Sequence, residues 1–468
     1  MKKVLLPLFC FHLSYCAMGQ TVTQKLQAAW KQFENDPQLS HAISSLYVVD
    51  ATTGGVLFDR NGQTGLAPAS TQKIITAAAA YALLGKDYRY KTELRYNGQL
   101  TDGFLIGDLF ITGKGDPTLG SWRWDRTNAE KVIGDFTGAM QRAGIRSMKG
   151  HVYVDISEWE DQSVNDRWIW QDIGNYYGSG ISALPWRENQ FDIHLRSGDK
   201  VGDLVSIRYT VPTVVYFNEY TSALTSGPPG SGDQAYAYIA PRVLRGTIPV
   251  KENDFVIGVS LINGPVQLAW SITDSLKKMG FGDQVLPTVI NQENKEAMGK
   301  IDKGDPVLYT AVSPSLDTII YWLNKKSINL YAEALLKTMA FEKKGFGTTE
   351  NGINTVKDFW KGQGIDPGEL NIYDGSGLSP MNRVTTHAQV QVLQYARKQE
   401  WYSSFVHSLP EYNGMSMKSG TIGDVKAFTG IQKAKNGREY LFSFIVNNYN
   451  GSSSALVGKM YKVLNNLK

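Results

Sequence analysis

Residues 67–80 read APASTQKIITAAAA and combine a serine, a lysine and a long apolar run. Side chains three positions apart lie on one face of a helix, so Ser70 and Lys73 are predicted to point the same way from a helix entered through Pro68. The run that continues to Leu84 is apolar on every face, which predicts a helix buried in the core. The stretch therefore predicts a lysine at the edge of a buried helix, one turn from a serine.

The position of Lys73 indicates a chemical role. Burial disfavours the charged form of a lysine, and the positive end of the helix dipole acts in the same direction. A lysine that gives up its proton easily can act as the base that activates the Ser70 hydroxyl as a nucleophile. The alternative is a solvated lysine near an exposed serine, because the same Ser-x-x-Lys spacing recurs at Ser197 and Ser275.

A second polar pair, Ser327 and Asn329, precedes the helical pattern LYAEALLKTMA. A hydroxyl there could relay a proton to a leaving amine, and a carboxamide could orient the amide of a substrate. The alternative is that both residues only cap the helix, since Ser and Asn favour helix N-termini. The same spacing at Ser163 and Asn165 lies in a region without a helical pattern, and we rank it lower.

A third element, Lys418-Ser419-Gly420-Thr421, begins a strand-like run. On an edge strand, Lys418 would offer a positive charge to a carboxylate, and Ser419 and Thr421 would add hydroxyl donors. Gly420 lets another backbone approach closely. The N–H groups of Ser70 and Thr421 are predicted to form an oxyanion hole. The alternative is an ordinary hairpin lysine, although Lys-Ser/Thr-Gly occurs nowhere else in the chain.

Other catalytic designs find little support in the sequence. The chain has no Gly-x-Ser-x-Gly turn, and its histidines stand singly, without the spacing of a metal site. We therefore expect no metal and no cofactor, while a Ser-His-Asp triad assembled from distant residues stays open. The formal charge of +4 over 468 residues gives no reason to expect a nucleic-acid partner. No transmembrane span is predicted in the mature chain, because no later run is apolar enough.

The N-terminus, MKKVLLPLFCFHLSYCAMGQ, has the pattern of a secretory signal peptide. Two lysines precede an apolar core, and Ala17-Met18-Gly19 offers a small-x-small cleavage site. We predict a signal peptide over residues 1–19 and an exported, periplasmic protein. Cys10 and Cys16 are the only cysteines, so the mature chain would contain no disulfide. An alternative is a lipoprotein signal with Cys16 acylated, but Tyr15 is a poor residue before such a cysteine.

The order of helical and strand-like patterns predicts the fold class. A helix, two strands and the Lys73 helix come first, and short alternating runs then extend to about residue 271, including VQLAWSIT at 266–273. Helical patterns return near residue 317, followed by strands and a terminal helix. We predict an α/β (α+β) domain formed by residues 20–85 and 306–468 and split by a long mainly-β insertion, residues 86–305.

The three motifs occur in the order Ser-x-x-Lys, Ser-x-Asn and Lys-Ser/Thr-Gly, the signature set of penicillin-binding proteins and serine β-lactamases. Further similarity lies in DGFLIGDLFITGKGDPTL (102–119), GHVYVDIS (150–157) and YDGSGLSPMNRVT (373–385). Over nearly the whole mature chain, the sequence resembles the penicillin-binding-protein-4-type D-alanyl-D-alanine carboxypeptidases of peptidase family S13. One departure is Ser419, where many relatives carry threonine, and the hydroxyl is kept.

The resemblance implies a fold and a reaction. The fold would be a serine β-lactamase/DD-peptidase-like transpeptidase domain whose insertion forms two smaller domains. The enzyme would cleave the terminal D-Ala-D-Ala bond of peptidoglycan stem peptides and also D-alanyl-meso-diaminopimelate cross-links, and β-lactams would acylate it. Ser70 would attack with Lys73 as base, Ser327 would relay the proton, Asn329 would orient the substrate, and Lys418 would hold its carboxylate.

Several points stay open at this level. An acidic residue of the insertion is expected to read the diaminopimelate side chain, and Asp155 in VYVDIS is the candidate, with an ordinary strand-end aspartate as the alternative. The alternative functions are a β-lactamase or esterase on the same scaffold and a non-catalytic peptidoglycan-binding protein. A homodimer is also left open.

Overall fold

The computed structural model describes residues 20–215, 219–299, 301–302 and 304–468. The predicted signal peptide, with Cys10 and Cys16, lies outside the described residues and stays a prediction. No helix within these ranges is long and apolar enough to cross a membrane.

The helices are α1 Val22–Glu34, α2 Lys73–Leu84, α3 Ala129–Arg142, α4 Trp170–Ile173, α5 Gly264–Lys278, α6 Leu316–Lys325, α7 Asn329–Lys344, α8 Thr349–Gly362, α9 Thr386–Ala396, α10 Tyr402–Ser408 and α11 Ser453–Leu464. The strands are β1 Ile43–Asp50, β2 Val56–Arg60, β3 Lys91–Tyr96, β4 Gln99–Thr101, β5 Phe104–Ile106, β6 Leu109–Gly113, β7 Ser147–Asp155, β8 Gln190–Arg196, β9 Ser206–Val211, β10 Thr221–Gly227, β11 Gln234–Ile239, β12 Arg242–Pro249, β13 Phe255–Ser260, β14 Val285–Ile290, β15 Val307–Val312, β16 Leu370–Asn371, β17 Arg383–Val384, β18 Glu411–Tyr412, β19 Met415–Ile422, β20 Val425–Lys433 and β21 Glu439–Asn447.

One antiparallel sheet joins the two ends of the chain. Its strand order is β18-β19-β20-β21-β1-β2. Along β21, Phe442 and Phe444 point to a core shared with α1 and α11, whereas Leu441 and Ser443 point to the opposite face, where Ser443 donates to Gln389 of α9. This alternation buries both faces of the strand. The sheet is therefore covered by helices on both sides.

Helix α2 is a buried helix that lies among α6, α7 and α9. Four successive alanines, residues 77–80, are fully buried, and α2 packs against α6, α7 and α9. Side chains this small let the neighbouring helices approach closely. The predicted burial of this helix is confirmed. The α-helix itself begins at Lys73, because the preceding residues Ala69–Gln72 form a 3₁₀ turn.

The remaining larger sheets are built mainly from the chain between α2 and α6. One has the order β15-β3-β6-β7-β5-β4 with β14 beside β7, and two smaller ones have the orders β10-β12-β11 and β13-β8-β9. Helices α3 and α5 pack against the first of these sheets. Strand β15 follows the predicted boundary at residue 305 but pairs with β3. The division of the chain into domains stays a prediction.

The interpretation of VQLAWSIT as a strand was wrong. These residues lie in α5, which begins with a proline in its first turn. Leu268, Ile272 and Leu276 recur every four positions and are buried in the core beneath the seven-stranded sheet. Eight residues rich in β-branched and aromatic side chains are too short a window to separate the helical from the strand period. Helix α3 also lies within the region interpreted as mainly strands.

Candidate active site

Ser70 lies on the 3₁₀ turn before α2, next to strand β19. The close approach depends on Gly420, where a Cβ would lie 2.6 Å from the carbonyl oxygen of Pro68 and 3.0 Å from the backbone nitrogen of Ser70. Ala69 has a left-handed φ of 48°, which is unusual for a residue with a side chain. Backbone held in this region is strained and clusters at functional sites. The predicted closeness of the backbone at Gly420 is therefore present beside Ser70.

Lys73 is fully buried and has three polar neighbours. Its Nζ lies 2.9 Å from Ser70 Oγ, 2.6 Å from Asn329 Oδ1 and 2.8 Å from the carbonyl oxygen of Ser376. Burial lowers the pKa of Lys73 to about 7, although two nearby carboxylates act in the opposite direction. A large fraction of the lysine is therefore neutral near pH 7, within hydrogen-bonding distance of the serine.

The two carboxylates belong to Glu333 and Asp374. Neither was predicted to be a site residue, although Asp374 lies in the stretch YDGSGLSPMNRVT that supports the family resemblance. Glu333 follows Asn329 by one turn of α7 and accepts hydrogen bonds from the backbone N–H groups of Gly375 at 2.9 Å and Ser376 at 2.8 Å. Burial and the charge of Asp374 raise the pKa of Glu333 to about 7. The one local signal was the i, i+4 spacing from Asn329, which places both side chains on one face of the helix.

Ser327 and Asn329 lie at the break between α6 and α7. Ser327 has a left-handed φ of 58°, and α7 has no side-chain hydrogen bond at its N-cap, Ile328, in the described part of the chain. Instead, Ser327 Oγ accepts a bond of 2.9 Å from Lys418 Nζ. Asn329 Nδ2 donates to the carbonyl oxygen of Tyr177 at 2.8 Å, while its Oδ1 accepts from the lysine of α2. Both side chains therefore point into the site.

Lys418 joins the third motif to the other two. It is almost fully buried, and its Nζ donates to Ser327 Oγ and, at 3.0 Å, to the carbonyl oxygen of Ser419. Burial and the neighbouring charge of Lys73 hold the pKa of Lys418 well below its usual value. Thr421 is exposed at the end of the same strand. The three motifs thus meet within hydrogen-bonding distance, as the sequence predicted.

An open cleft of about 750 Å³ gives access to these groups. The motif residues that line it are Ser70, Ser327, Asn329 and Thr421; Ser419 does not line it. Many of the other lining residues come from the segment between α3 and β8, which includes α4; among them are Asp172, Tyr177 and Glu188. Within the described ranges, no group of three or more His, Cys, Asp or Glu side chains is arranged to hold a metal ion.

Asp155, the expected reader of the diaminopimelate side chain, does not line this cleft. It is the last residue of β7, its carboxylate accepts a 2.9 Å hydrogen bond from the N–H of Ser157, and it borders a different cavity. The acidic side chains that line the cleft are Asp172 and Glu188. Their positions depend on how the inserted segment folds back on α7, which no local sequence pattern indicates.

Comparison with solved structures identifies the class of fold. The crystal structure of penicillin binding protein 4 (dacB) from Haemophilus influenzae covers 93% of this chain and 98% of its own, with a TM-score of 0.78 at 22% identity. This likeness confirms the predicted fold class, an α/β fold of the DD-peptidase type.

Sequence comparison then gives the family. Residues 26–411 match the D-Ala-D-Ala carboxypeptidase 3 (S13) family, and the chain belongs to it. The D-alanyl-D-alanine carboxypeptidase of Actinomadura sp. (strain R39) is 28% identical over 469 residues, covering 90% of this chain and 81% of the relative. The D-alanyl-D-alanine carboxypeptidase DacB of Haemophilus influenzae is 26% identical over 351 residues, covering 74% and 69%. The resemblance inferred from the motifs is confirmed.

Proposed function

We propose that this protein is an exported serine DD-peptidase that removes the terminal D-alanine from peptidoglycan stem peptides. The observation that carries the proposal is the 2.9 Å contact between Ser70 Oγ and the Nζ of Lys73, whose pKa burial lowers to about 7. A neutral amine at that distance can take the proton of the hydroxyl as it attacks. Membership of the D-Ala-D-Ala carboxypeptidase family supports the substrate class.

In the first half-reaction, Ser70 Oγ forms a bond to the carbonyl carbon of the penultimate D-alanine while its proton passes to Lys73. The N–H groups of Ser70 and Thr421 would stabilise the resulting oxyanion. The C–N bond then breaks, and the leaving amine of D-alanine takes a proton from Ser327. The 2.9 Å bond from Lys418 to Ser327 supports this relay, because Lys418 can replace the proton that the hydroxyl gives up.

Recognition of the substrate is assigned to two of the motifs. Lys418, with the hydroxyl of Thr421, would hold the terminal carboxylate through charge-assisted hydrogen bonds. Ser419 was predicted to share this role, but it does not line the cleft, so we leave it out of the proposed carboxylate site. Asn329 already donates to the carbonyl oxygen of Tyr177 and accepts from the buried lysine. We therefore assign Asn329 first to holding that lysine; it can orient the substrate amide only if the bond to Tyr177 opens.

In the second half-reaction, the oxygen of water bonds to the acyl carbon while one of its protons passes through Ser327 back to Lys418. The ester C–O bond then breaks, Ser70 Oγ takes its proton back from Lys73, and the product leaves as the free acid. We also propose cleavage of D-alanyl-meso-diaminopimelate cross-links, with Asp172 in place of Asp155 as the insert residue that reads the diaminopimelate side chain, because Asp172 lines the cleft. β-Lactams are proposed to acylate Ser70 in the same way. A β-lactam complex has been crystallised for the Haemophilus influenzae protein named above.

The experiment that tests the proposal is intact-mass analysis of the wild-type protein after incubation with benzylpenicillin, followed by peptide mapping, with D-alanine release from a stem pentapeptide measured in parallel. We expect a stable adduct on the peptide that contains Ser70, together with D-alanine release. Rapid loss of the adduct with drug hydrolysis would instead indicate a β-lactamase. A folded protein with neither adduct nor hydrolysis would overturn the enzymatic proposal and favour a binding protein.

Gly420→Ala should slow acylation by benzylpenicillin about tenfold, because the added methyl group has no room unless the Ser70 turn moves away from β19. The rate is obtained by stopping the reaction at intervals and measuring the fraction of acylated protein by intact-mass spectrometry. Gly458→Ala in α11 is the matched control, since a Cβ there meets no atom within 4 Å. Equal rates in the two variants would show that the close approach at Gly420 does not matter for the reaction.

A further inference from the structure

A short piece of the insertion contacts the loop that carries Ser376. We call residues 373–379 the Asp374 loop. Asn165 Nδ2 donates to the carbonyl oxygen of Tyr373 at 2.6 Å, and Trp168 Nε1 donates to Asp374 Oδ2 at 2.9 Å. Asn165 belongs to the second Ser-x-Asn match in the sequence, and it contacts this loop instead of lining the cleft.

Asp374 is the centre of this loop. Its carboxylate is fully buried and accepts five hydrogen bonds, from Gln72 Nε2, Gly377 N, Asn382 Nδ2, Trp168 Nε1 and Ser379 N. Among the described donors, the Trp168 indole is the one that comes from the insertion. A buried polar group left without a partner is costly, so each of these donors helps to hold the carboxylate in this position.

The loop acts on Lys73 in two ways. Its Ser376 carbonyl oxygen accepts a hydrogen bond from Lys73 Nζ at 2.8 Å, which helps to fix the position of the amine. The charge of Asp374 raises the pKa of Lys73 against the effect of burial, and Glu333 of α7 acts in the same direction. Lys418 of β19 also faces this group and repels its charge. The insertion is therefore connected to the proposed base through one loop.

We propose that residues 165–168 of the insertion, Trp168 above all, position Lys73 through the Asp374 loop. Trp168 is a positioning residue, because it touches neither Ser70 nor Lys73 in the described contacts. The inference rests on the proposed function, in which Lys73 is the base for acylation of Ser70. It gives the insertion a part in the acylation step itself, beyond the recognition of substrate.

Trp168→Phe keeps a ring of similar shape but removes the indole N–H. With this donor lost, the Asp374 carboxylate is held less firmly beside Lys73, so its favourable effect on the charged amine weakens and the pKa of Lys73 falls. The pH midpoint of the rise in acylation rate should then move to lower pH by about 0.5 unit. The maximum rate at high pH should be about fivefold lower, because the loop holds Lys73 less well. Benzylpenicillin is the probe, and the rate is followed by intact mass from pH 5 to 9.

Trp159→Phe is the matched control, because Trp159 is a fully buried tryptophan of the same insertion whose Nε1 has no hydrogen-bond partner in the described structure. Its pH midpoint should equal that of the wild type. A Trp168→Phe profile identical to the control overturns this inference and leaves the proposed function standing. A wild type that is not acylated at all overturns both.

If Trp168→Phe does not fold, Asn165→Ala provides the second test. This variant loses the hydrogen bond to the carbonyl oxygen of Tyr373 but keeps all five donors to Asp374. We therefore expect the maximum acylation rate to be about fivefold lower and the pH midpoint of the rise in rate to be unchanged. A wild-type rate in that folded variant would show that the 165–168 segment does not position the lysine.

Discussion

Acylation of the Lys73→Met variant by benzylpenicillin is expected to be about a thousandfold slower than that of the wild type at pH 8. Methionine fills a similar volume but cannot take the Ser70 proton. In the wild type, the rate should rise with pH around 7, because burial lowers the pKa of Lys73 to about 7 and only the neutral amine is a base. The rise should be absent from the variant. The measurement is intact mass against time at several pH values.

Ser70→Ala sets the background of this experiment, since it has no hydroxyl to acylate. Circular dichroism of each variant checks that the fold is kept. A Lys73→Met rate within tenfold of the wild type would contradict the assignment of this lysine as the base, while leaving Ser70 as the nucleophile.

Glu333→Gln should lower the free energy of unfolding by about 3 kcal/mol and slow acylation about a hundredfold. The two carboxylate oxygens accept hydrogen bonds from the N–H groups of Gly375 and Ser376. In a glutamine, the NH₂ group would replace one of these oxygens, and its hydrogens would point at a backbone N–H. The charge of Glu333 also raises the pKa of Lys73, so its removal should move the rising part of the pH profile to lower pH. Urea unfolding and the acylation profile measure the two effects.

Glu369→Gln is the matched control for the charge. Glu369 is also a buried carboxylate, but it accepts hydrogen bonds from Thr385 and contacts His387 instead of the Asp374 loop. We expect it to lose stability and to keep the wild-type pH midpoint. A shift of the same size in both variants would mean that the change at Glu333 acts through general loosening of the fold.

The parts of the site that the sequence predicted are those with a local cause. Ser70 and Lys73 are related by one turn, and the apolar run after Lys73 is enough to predict burial. Gly420 was predicted to allow a close backbone approach, and the Ser70 turn lies there. The meeting of Ser327 with Lys418 was predicted from the order of three motifs and a family resemblance, and the 2.9 Å bond between them agrees with it. Their catalytic roles remain proposals.

The parts that the sequence did not predict depend on distant segments. Asp374 reads as one residue of a glycine-rich turn, and its charge matters only because the turn folds against Lys73 and receives Trp168 from more than two hundred residues earlier in the chain. Asp155 was the acidic candidate of the insertion, with an ordinary strand-end aspartate as the alternative, and the sequence around it does not say which cavity its side chain borders. The cleft wall is instead formed around Asp172.

The three oxygens around Lys73 Nζ also determine which way the lone pair of the neutral amine points. A protonated amine has three hydrogens, one each for Ser70 Oγ, Asn329 Oδ1 and the carbonyl oxygen of Ser376. The neutral amine has two hydrogens and one lone pair. The oxygens of Asn329 and Ser376 have no hydrogen to give, so they retain the two N–H bonds and the lone pair turns toward the hydroxyl of Ser70. Loss of a single proton therefore converts the serine from an acceptor into a donor, aligned with the orbital that receives its hydrogen.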